Sequence, residues 1–280
     1  AASDVYKRQS LGAALYSDAT VVSIVVDDGA VAGVELENGG RVSCKQVIYT
    51  GHPVHIVDMV DGSVFRPAYR KRLRSLKNSL SMFAVFGRGE RRLEILNGPL
   101  NYYLLQNKSG FISGDCIDSN QQRTMMMSGT RLKPGENLKP DQNGVILLRL
   151  GHWQDVSRFE KYDAASRPEN YEDYKMEIAE EMICSAEQRW GEHCGKIEPL
   201  AIATPLTFRD QLDAPEGCAY GAMHCLDQFN PDVRTRLPGL FLSGQSTLMT
   251  GVVGASVSGL VGAGEILGLE ALWEDVKRCV

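Results

Sequence analysis

The residue types that most often carry out metal or nucleophilic chemistry, cysteine and histidine, are scattered through this sequence. The chain of 280 residues holds seven cysteines and five histidines, with two His-Cys pairs at 193–194 and 224–225 and with His52 three residues before His55. A structural zinc site needs four ligands at recurring short spacings, and no such cluster is present. We therefore predict no metal site, name no catalytic residue, and interpret the cysteines as small apolar residues of a protein from a reducing compartment.

Glycine backbone offers a different kind of binding chemistry, and one stretch is rich in it. Residues 239–267 read GLFLSGQSTLMTGVVGASVSGLVGAGEIL, inside 28 consecutive uncharged residues from Leu237 to Gly264. A transmembrane helix needs about 20 mostly apolar residues in a row, whereas this run contains Pro238, seven glycines and several polar side chains. The pattern instead predicts a buried strand over 239–244, a loop, and then a long helix that starts near Val252 and runs to about Val276.

A strand, a glycine loop and a helix start in that order can bind a negatively polarised ligand. The first N–H groups of a helix have no partner within the helix, and the helix dipole makes that end positive. Glycines at 244, 251 and 254 would remove the side chains that keep a ligand away. The alternative is that the glycines serve only close helix packing, and the spacing by itself does not separate these two interpretations.

The remaining pattern shows which elements must position this loop. Residues 21–49 predict a β-meander followed by a short apolar strand, and helices follow to about Val60 and over 66–78. Longer extended runs from Ser79 to Trp153 predict a second, mostly antiparallel sheet of about four strands. Residues 169–191 carry an apolar stripe at helical spacing that ends at Gly191, and a strand follows near residue 200.

Three segments, in order, resemble a known family. The first is residues 20–53, TVVSIVVDDGAVAGVELENGGRVSCKQVIYTGHP; the second is 203–221, ATPLTFRDQLDAPEGCAYG; the third is 237–259, LPGLFLSGQSTLMTGVVGASVSG. Together they are similar to the phytoene desaturase/carotenoid isomerase/retinol saturase family of FAD-dependent oxidoreductases, and the likeness extends from about Leu11 to Leu269. The resemblance implies an α/β (α+β) fold, in which part of an FAD-binding Rossmann-like domain is interleaved with a mostly antiparallel substrate-domain sheet.

The resemblance also implies domain boundaries and a cofactor site. FAD-domain segments would occupy residues 10–65 and 206–280, and the substrate domain 66–205. FAD would lie along the glycine loop and the helix start, with its adenine near the first strand of the meander. The implied cofactor-binding residues are Val21, Gly51, Gly244, Gln245, Gly251, Val252, Val253 and Gly254. Many relatives carry an acid where this chain has Gln245, which puts the subgroup in question more than flavin binding.

One expected feature of such an enzyme is missing. The dinucleotide fingerprint G-x-G-x-x-G, which seats the pyrophosphate at a helix start, does not occur; GRGERR at 87–92 comes nearest. The sequence therefore predicts the C-terminal part of a longer enzyme whose N-terminal half is missing. We expect this part to bind FAD weakly or not at all by itself, and we interpret its first nine residues as a foreign leader.

By the same resemblance, the complete protein would exchange a hydride between flavin and a C–C or C=C bond of an apolar polyene or retinoid-like lipid. The predicted wall of the substrate tunnel comprises Phe83, Tyr102, Tyr103, Met125, Met126 and Met127. A net charge of −5 argues against a nucleic-acid partner. The predicted location is cytoplasmic, with peripheral membrane contact left open. The alternative is a non-catalytic lipid-binding or scaffolding module built on the same half-fold.

Overall fold

The computed structural model describes residues 7–90, 101–104, 124–129 and 143–278. It divides into two compact units, Ala1–Lys77 with Ala222–Val280, and Asn78–Gly221. These limits differ from the boundaries at 65/66 and 205/206 predicted from the sequence. The helix Pro67–Arg74 belongs to the first unit because its Leu73 is fully buried in that unit's core.

The first unit begins with the expected meander. Its strands are β1 (Val21–Asp27), β2 (Ala30–Leu36) and β3 (Arg41–Ser43), which form an antiparallel sheet in that order. The β1–β2 hairpin is tight because Asp28 and Gly29 both adopt positive φ, as a two-residue turn between right-twisted strands requires. The sequence therefore predicted this part of the fold from local chemistry.

A second, parallel pair of strands lies in the same unit. Strand β4 (Val47–Tyr49) pairs with β10 (Leu240–Leu242), although almost 200 residues separate them in the chain. The short helices α1 (Ile56–Met59) and α2 (Pro67–Arg74) follow β4. Their buried side chains share one apolar core with those of the meander and of β10, namely Ile24, Val31, Ile56, Val57, Val60, Phe65, Leu73, Leu237, Leu240 and Leu242.

The second unit is built on a five-stranded antiparallel sheet. Its strands are β5 (Ser81–Gly89), β6 (Asn101–Leu104), β7 (Met125–Gly129), β8 (Asn143–Gly151) and β9 (Ile197–Ala203), in the order β6-β7-β8-β5-β9. The expected sheet is confirmed, and the fifth strand comes from the segment that follows the long helix. Over the described residues, the chain is thus a mixed α/β protein with two antiparallel sheets, one of three strands and one of five, and one small parallel pair.

The long helix α3 (Glu169–Cys194) covers one face of this sheet. Its predicted apolar stripe is confirmed, since Tyr171, Met182 and Trp190 are buried in the core. The predicted end at Gly191 is wrong, because the helix continues for another turn. It stops at Gly195, whose φ of 64° is unfavourable for other residues and whose N–H donates to the Gly191 carbonyl. Helix α4 (Pro205–Leu212) closes the unit.

The C-terminal region contains two helices where the sequence predicted one. Helix α5 (Gly251–Leu267) is followed directly by α6 (Leu269–Arg278). The break falls at Gly268, which has a φ of 90°. The apolar periodicity continues through this position, so the pattern alone did not reveal the break. Gly264 allows the junction to be tight, since a Cβ there would crowd Leu269.

Candidate functional site

The parallel pair β4–β10 brings two of the predicted glycines to one sheet edge. Leu242 lies opposite Tyr49, and the Ser243 N–H donates to the Tyr49 carbonyl over 2.9 Å. Gly51 and Gly244 follow these strand ends, and a Cβ on Gly244 would stand 3.3 Å from the Thr50 carbonyl oxygen. Gly244 has a φ of 107°, a conformation that favours glycine. In open α/β sheets, ligands bind beyond the carboxyl ends of parallel strands.

Helix α5 begins seven residues after Gly244 with an open N-terminus. Thr250, at the N-cap, makes no side-chain capping hydrogen bond. Gly251 has a φ of 77°, and a Cβ at this position would meet nothing within 4 Å. The next two side chains, Val252 and Val253, are 85% and 72% exposed. This helix end therefore combines positive potential with an apolar surface, a combination that suits a flat, electron-rich ring.

The glycines of this stretch divide between the two interpretations that the sequence left open. Gly251 and Gly259 border open space, as a ligand-facing position requires. Gly254 is buried, and a Cβ there would overlap the Met249 carbonyl. Gly262 lies against Ser243. Close packing therefore requires glycine at position 254, whereas a Cβ at Gly262 would make only ordinary van der Waals contact, 3.7 Å from Ser243 Cβ.

The other predicted flavin contacts have mixed positions. Gln245 is half-buried in the turn that follows Gly244. Val21 pairs with Leu36 at the start of the meander, in a different sheet from the one that ends at Gly51 and Gly244. The structure thus gathers Gly51, Gly244 and the start of α5 within one unit, while the roles assigned to the individual residues stay predictions.

Sequence reasoning missed a group of buried hydroxyls behind the loop. Ser258, on the second turn of α5, is fully buried and accepts a hydrogen bond of 3.0 Å from the Gly244 N–H. Its Oγ lies 2.5 Å from Thr247 Oγ1 and 3.5 Å from Ser243 Oγ. A serine without solvent exposure needs a partner, so its place among small apolar helix residues was the available clue.

The predicted tunnel wall divides between the two faces of the second unit's sheet. Phe83, Met125 and Met127 are buried beneath α3, and Tyr102 packs against the same core. Assigning these four to a substrate-facing wall is wrong, because alternate residues of a strand point to opposite faces. Met126 and Tyr103, which pair across β7 and β6, belong to the other face and stay compatible with that role.

This other face is apolar and only partly covered. Residues directly opposite one another in the strand register share it, and all are half-buried or exposed apart from Ala84. We call this surface the open sheet face; it comprises Met82, Ala84, Phe86, Tyr103, Met126, Ile146, Leu148 and Leu150. A contiguous, partly exposed apolar surface is often a binding site.

Comparisons with known proteins find sequence relatives of this chain. The chain is 25% identical to all-trans-retinol 13,14-reductase of Macaca fascicularis over 300 residues, and 24% identical to the Homo sapiens protein over 301 residues. Each match covers 96% of this chain and 48% of the relative, so the chain spans about half the length of these relatives. No protein-family model matches the chain.

The chain is a distant homologue of all-trans-retinol 13,14-reductase, an enzyme of the carotenoid isomerase/retinol saturase family. The resemblance inferred from the three segments is thereby confirmed. An inactive all-trans-retinol 13,14-reductase of Danio rerio is 26% identical over 212 residues, covering 71% of this chain and 35% of the relative.

Solved structures share the fold of this chain. A redesigned putrescine oxidase matches it with a TM-score of 0.58 at 14% identity, over 94% of this chain and 51% of the oxidase. An oxidoreductase from Methanosarcina mazei matches with a TM-score of 0.52 at 17% identity, over 85% of this chain and 47% of that protein. At these identities the likeness concerns the fold alone.

Two further observations concern the residues of this chain that the structure describes. None of their His, Cys, Asp and Glu side chains form a group of three or more that could hold a metal ion. Over the same residues, no helix combines the length and the apolar character that crossing a bilayer requires. The apolar stretch from Leu237 to Gly264 is divided between β10, a turn and α5.

Two cysteines of this chain should differ in reactivity, and this difference tests the packing of the second unit. Burial raises the pKa of the Cys218 thiol from 9.0 to about 11, whereas Cys184 is exposed on α3. We expect an alkylating reagent at mildly alkaline pH to label Cys184 rapidly in the native chain. Cys218 should react at least about a hundredfold more slowly, because the thiolate fraction falls tenfold for each unit by which the pKa rises and because its sulfur is buried. Peptide mass spectrometry measures both sites.

The linked effect on stability has a definite sign. The folded state holds the Cys218 proton more tightly than the unfolded chain does, so this stabilisation is complete below pH 9.0 and is lost as pH rises toward about 11. Replacing Cys218 with alanine should remove this part of the alkaline destabilisation. Rapid native labelling of Cys218 would show that the packing around it is looser than described.

Proposed function

We propose that this chain is the C-terminal part of an FAD-dependent oxidoreductase that acts on C–C or C=C bonds of an apolar polyene or retinoid-like lipid. The observation that carries the proposal is the uncapped start of α5 at Gly251, which borders open space in the unit that also holds the parallel strand ends at Gly51 and Gly244. The distant homology to a retinol reductase supports the substrate class.

The residues of the first unit fit a flavin. An added side chain would occupy the space beside Gly251, and the N–H groups of Val252 and Val253 lie in the first turn of α5, where no side-chain cap competes for them. When bound, FAD supplies the hydride chemistry. The protein's contribution is to present these backbone donors to the electron-rich edge of the ring and to cover its face with apolar side chains.

The open sheet face of the second unit suits the proposed substrate. Met126, Leu148 and Phe86 offer contiguous apolar area on neighbouring strands. Methionine adapts its shape to long, irregular apolar ligands. We propose that the hydrocarbon chain of the substrate lies on this face, where bound hydrocarbon would displace water from the apolar side chains.

The proposal is tested by supplying the residues that precede this chain in its gene. We expect the longer protein to purify with one flavin per chain, detected by its visible absorbance bands, because a dinucleotide fingerprint would then seat the pyrophosphate. The 280-residue chain alone should take up FAD weakly or not at all. Reduction of an added retinoid or polyene, followed by chromatography, then tests the reaction.

Each result has a clear consequence. A longer protein that folds but contains no flavin, even after incubation with FAD, would overturn the proposed function. Tight, stoichiometric FAD binding by the 280-residue chain would contradict the dependence on an N-terminal half.

We propose that the protein is cytoplasmic and contacts membranes peripherally, since an apolar substrate must be drawn from a lipid phase. Sedimentation with liposomes tests that contact.

A second function is favoured by one observation. A relative whose match covers 71% of this chain is named as inactive, so a sequence similar to this one also occurs in a protein named as lacking the reductase activity. The alternative is therefore a non-catalytic lipid-binding or scaffolding module. Retinoid binding by the open sheet face without flavin in the longer protein would support it, whereas flavin reduction by a retinoid-type substrate would exclude it.

A further inference from the structure

The two backbone polar groups of Gly244 are held by two side chains. The Gly244 N–H donates to Ser258 Oγ over 3.0 Å, and the Gly244 carbonyl accepts from Thr247 Oγ1 over 2.8 Å. The same carbonyl also accepts a longer bond, 3.3 Å, from the Thr247 N–H. The two hydroxyl oxygens stand 2.5 Å apart, and both residues are buried. These contacts form a closed hydrogen-bond ring, which we call the Gly244 ring, of Gly244, Ser258 and Thr247.

Counting protons gives the ring a single direction. Thr247 donates its proton to the Gly244 carbonyl, so at the 2.5 Å contact between the hydroxyls Thr247 accepts and Ser258 donates. Ser243 Oγ is the other acceptor near this Ser258 proton, but at 3.5 Å it is much the longer contact. Ser258 in turn accepts from the Gly244 N–H. Every donor and acceptor in the ring therefore has a partner, and bonds ordered in one direction strengthen one another.

From this geometry we infer that Thr247 and Ser258 are positioning residues, which hold the loop 244–250 and the start of α5 in a shape ready for flavin. The inference rests on the proposed function. Gly244 leaves β10 and Ser258 lies one turn beyond Gly254 on α5, so the ring fixes the strand end relative to the helix that offers its N–H groups. Neither hydroxyl needs to touch the cofactor.

Other contacts fix the outer side of the same loop. Ser246 Oγ accepts from the Ala222 N–H over 3.1 Å, and a His224 ring nitrogen lies 3.4 Å from the Thr247 carbonyl oxygen. The Met249 carbonyl packs against Gly254. The loop is thus anchored along its length before any ligand binds, which lowers the ordering cost of binding.

The test uses variants that differ by one hydroxyl. Thr247→Val keeps the side-chain shape and removes the ring's hydroxyl, and Thr247→Ser restores the hydroxyl. Ser258→Ala opens the ring on the helix side. Ser256→Ala is its matched control, because the exposed Ser256 hydroxyl donates to the Val252 carbonyl within its own helix. Amide hydrogen exchange at Gly244 is measured in the 280-residue chain, and FAD dissociation and the flavin's visible circular dichroism in the longer protein. Thermal melting checks that each variant folds.

The ring predicts a joint pattern. Thr247→Val and Ser258→Ala should exchange the Gly244 amide at least about tenfold faster and bind FAD at least about tenfold more weakly, with an altered dichroism of the bound flavin. Thr247→Ser and Ser256→Ala should behave as the wild type in all three measurements.

Contrary outcomes are distinguishable. Faster exchange with unchanged FAD affinity and dichroism would overturn the positioning role while leaving the flavin function intact, and so would equal impairment by Thr247→Ser. Unchanged exchange in Thr247→Val would show that the ring does not hold Gly244. A wild-type protein that takes up no flavin would overturn the proposed function and the positioning role together, whatever the exchange rates.

Discussion

Replacing Val253 with aspartate should abolish flavin binding in the longer protein without harming the fold. The side chain is 72% exposed in the first turn of α5. A carboxylate there stabilises the helix itself by about 0.3–1 kcal/mol through the helix dipole. It also faces the electron-rich edge of the proposed flavin, and two such charges about 4 Å apart repel by roughly 4 kcal/mol at a protein surface. Flavin affinity should fall by more than about a hundredfold, as measured by retention of the flavin absorbance on a desalting column.

The matched control is Val257→Asp, one turn further along the same helix and partly exposed. It introduces the same charge at a position without free first-turn N–H groups, so flavin should be retained much better. Thermal unfolding separates binding from folding, because Val253→Asp should melt at or above the wild-type temperature. Undiminished flavin binding by Val253→Asp would show that the flavin ring system does not lie at this helix end.

Lysine at two adjacent methionines should give opposite results. Met127 is fully buried between the sheet and α3, so Met127→Lys places an unpaired charge in the core. We expect a loss of at least about 3 kcal/mol in the free energy of unfolding. Met126 lies on the open sheet face, where the lysine amine can reach water, and the cost should stay within about 1 kcal/mol. Urea unfolding followed by circular dichroism measures both values.

The same pair tests where the substrate binds. Met126→Lys should fold normally but lose affinity for a retinoid or polyene, measured by quenching of protein fluorescence, because the new charge would be desolvated by the hydrocarbon. Met126→Leu is the control that keeps the apolar surface, and it should bind as the wild type does. If Met126→Lys binds the lipid as well as Met126→Leu, the open sheet face is not the substrate surface.

Local chemistry explains which elements were predictable. The Asp28-Gly29 hairpin and the stripe of α3 follow from turn geometry and helical periodicity, which involve residues close in sequence. The ends of α3 and α5 were less predictable. Gly191 and Gly195 are equally plausible stops, and whether a helix continues past a glycine depends on which neighbour is available to pack against the next turn.

The division of the methionine run shows the limit of composition. Three consecutive methionines predict an apolar strand, but only the strand's place in the sheet decides which of them α3 covers. Met127 therefore became core, while Met126 remained accessible. A slip of one residue in register would have exchanged their roles.

The candidate site shows the same contrast. By itself, the sequence determined that a strand, a glycine loop and a helix start follow one another. Glycine spacing and the absence of charged residues set local secondary structure and burial, so both can be read from neighbouring residues. The sequence also carried the family resemblance. Only the tertiary structure decided that the strands ending before Gly51 and Gly244 are neighbours. It also decided that Gly254 is required by packing while Gly251 borders open space, and that Ser258 and Thr247 complete the Gly244 ring. Each of these depends on contacts between segments far apart in the chain, whose pairing is set by the burial of the whole core and not by any short run of residues.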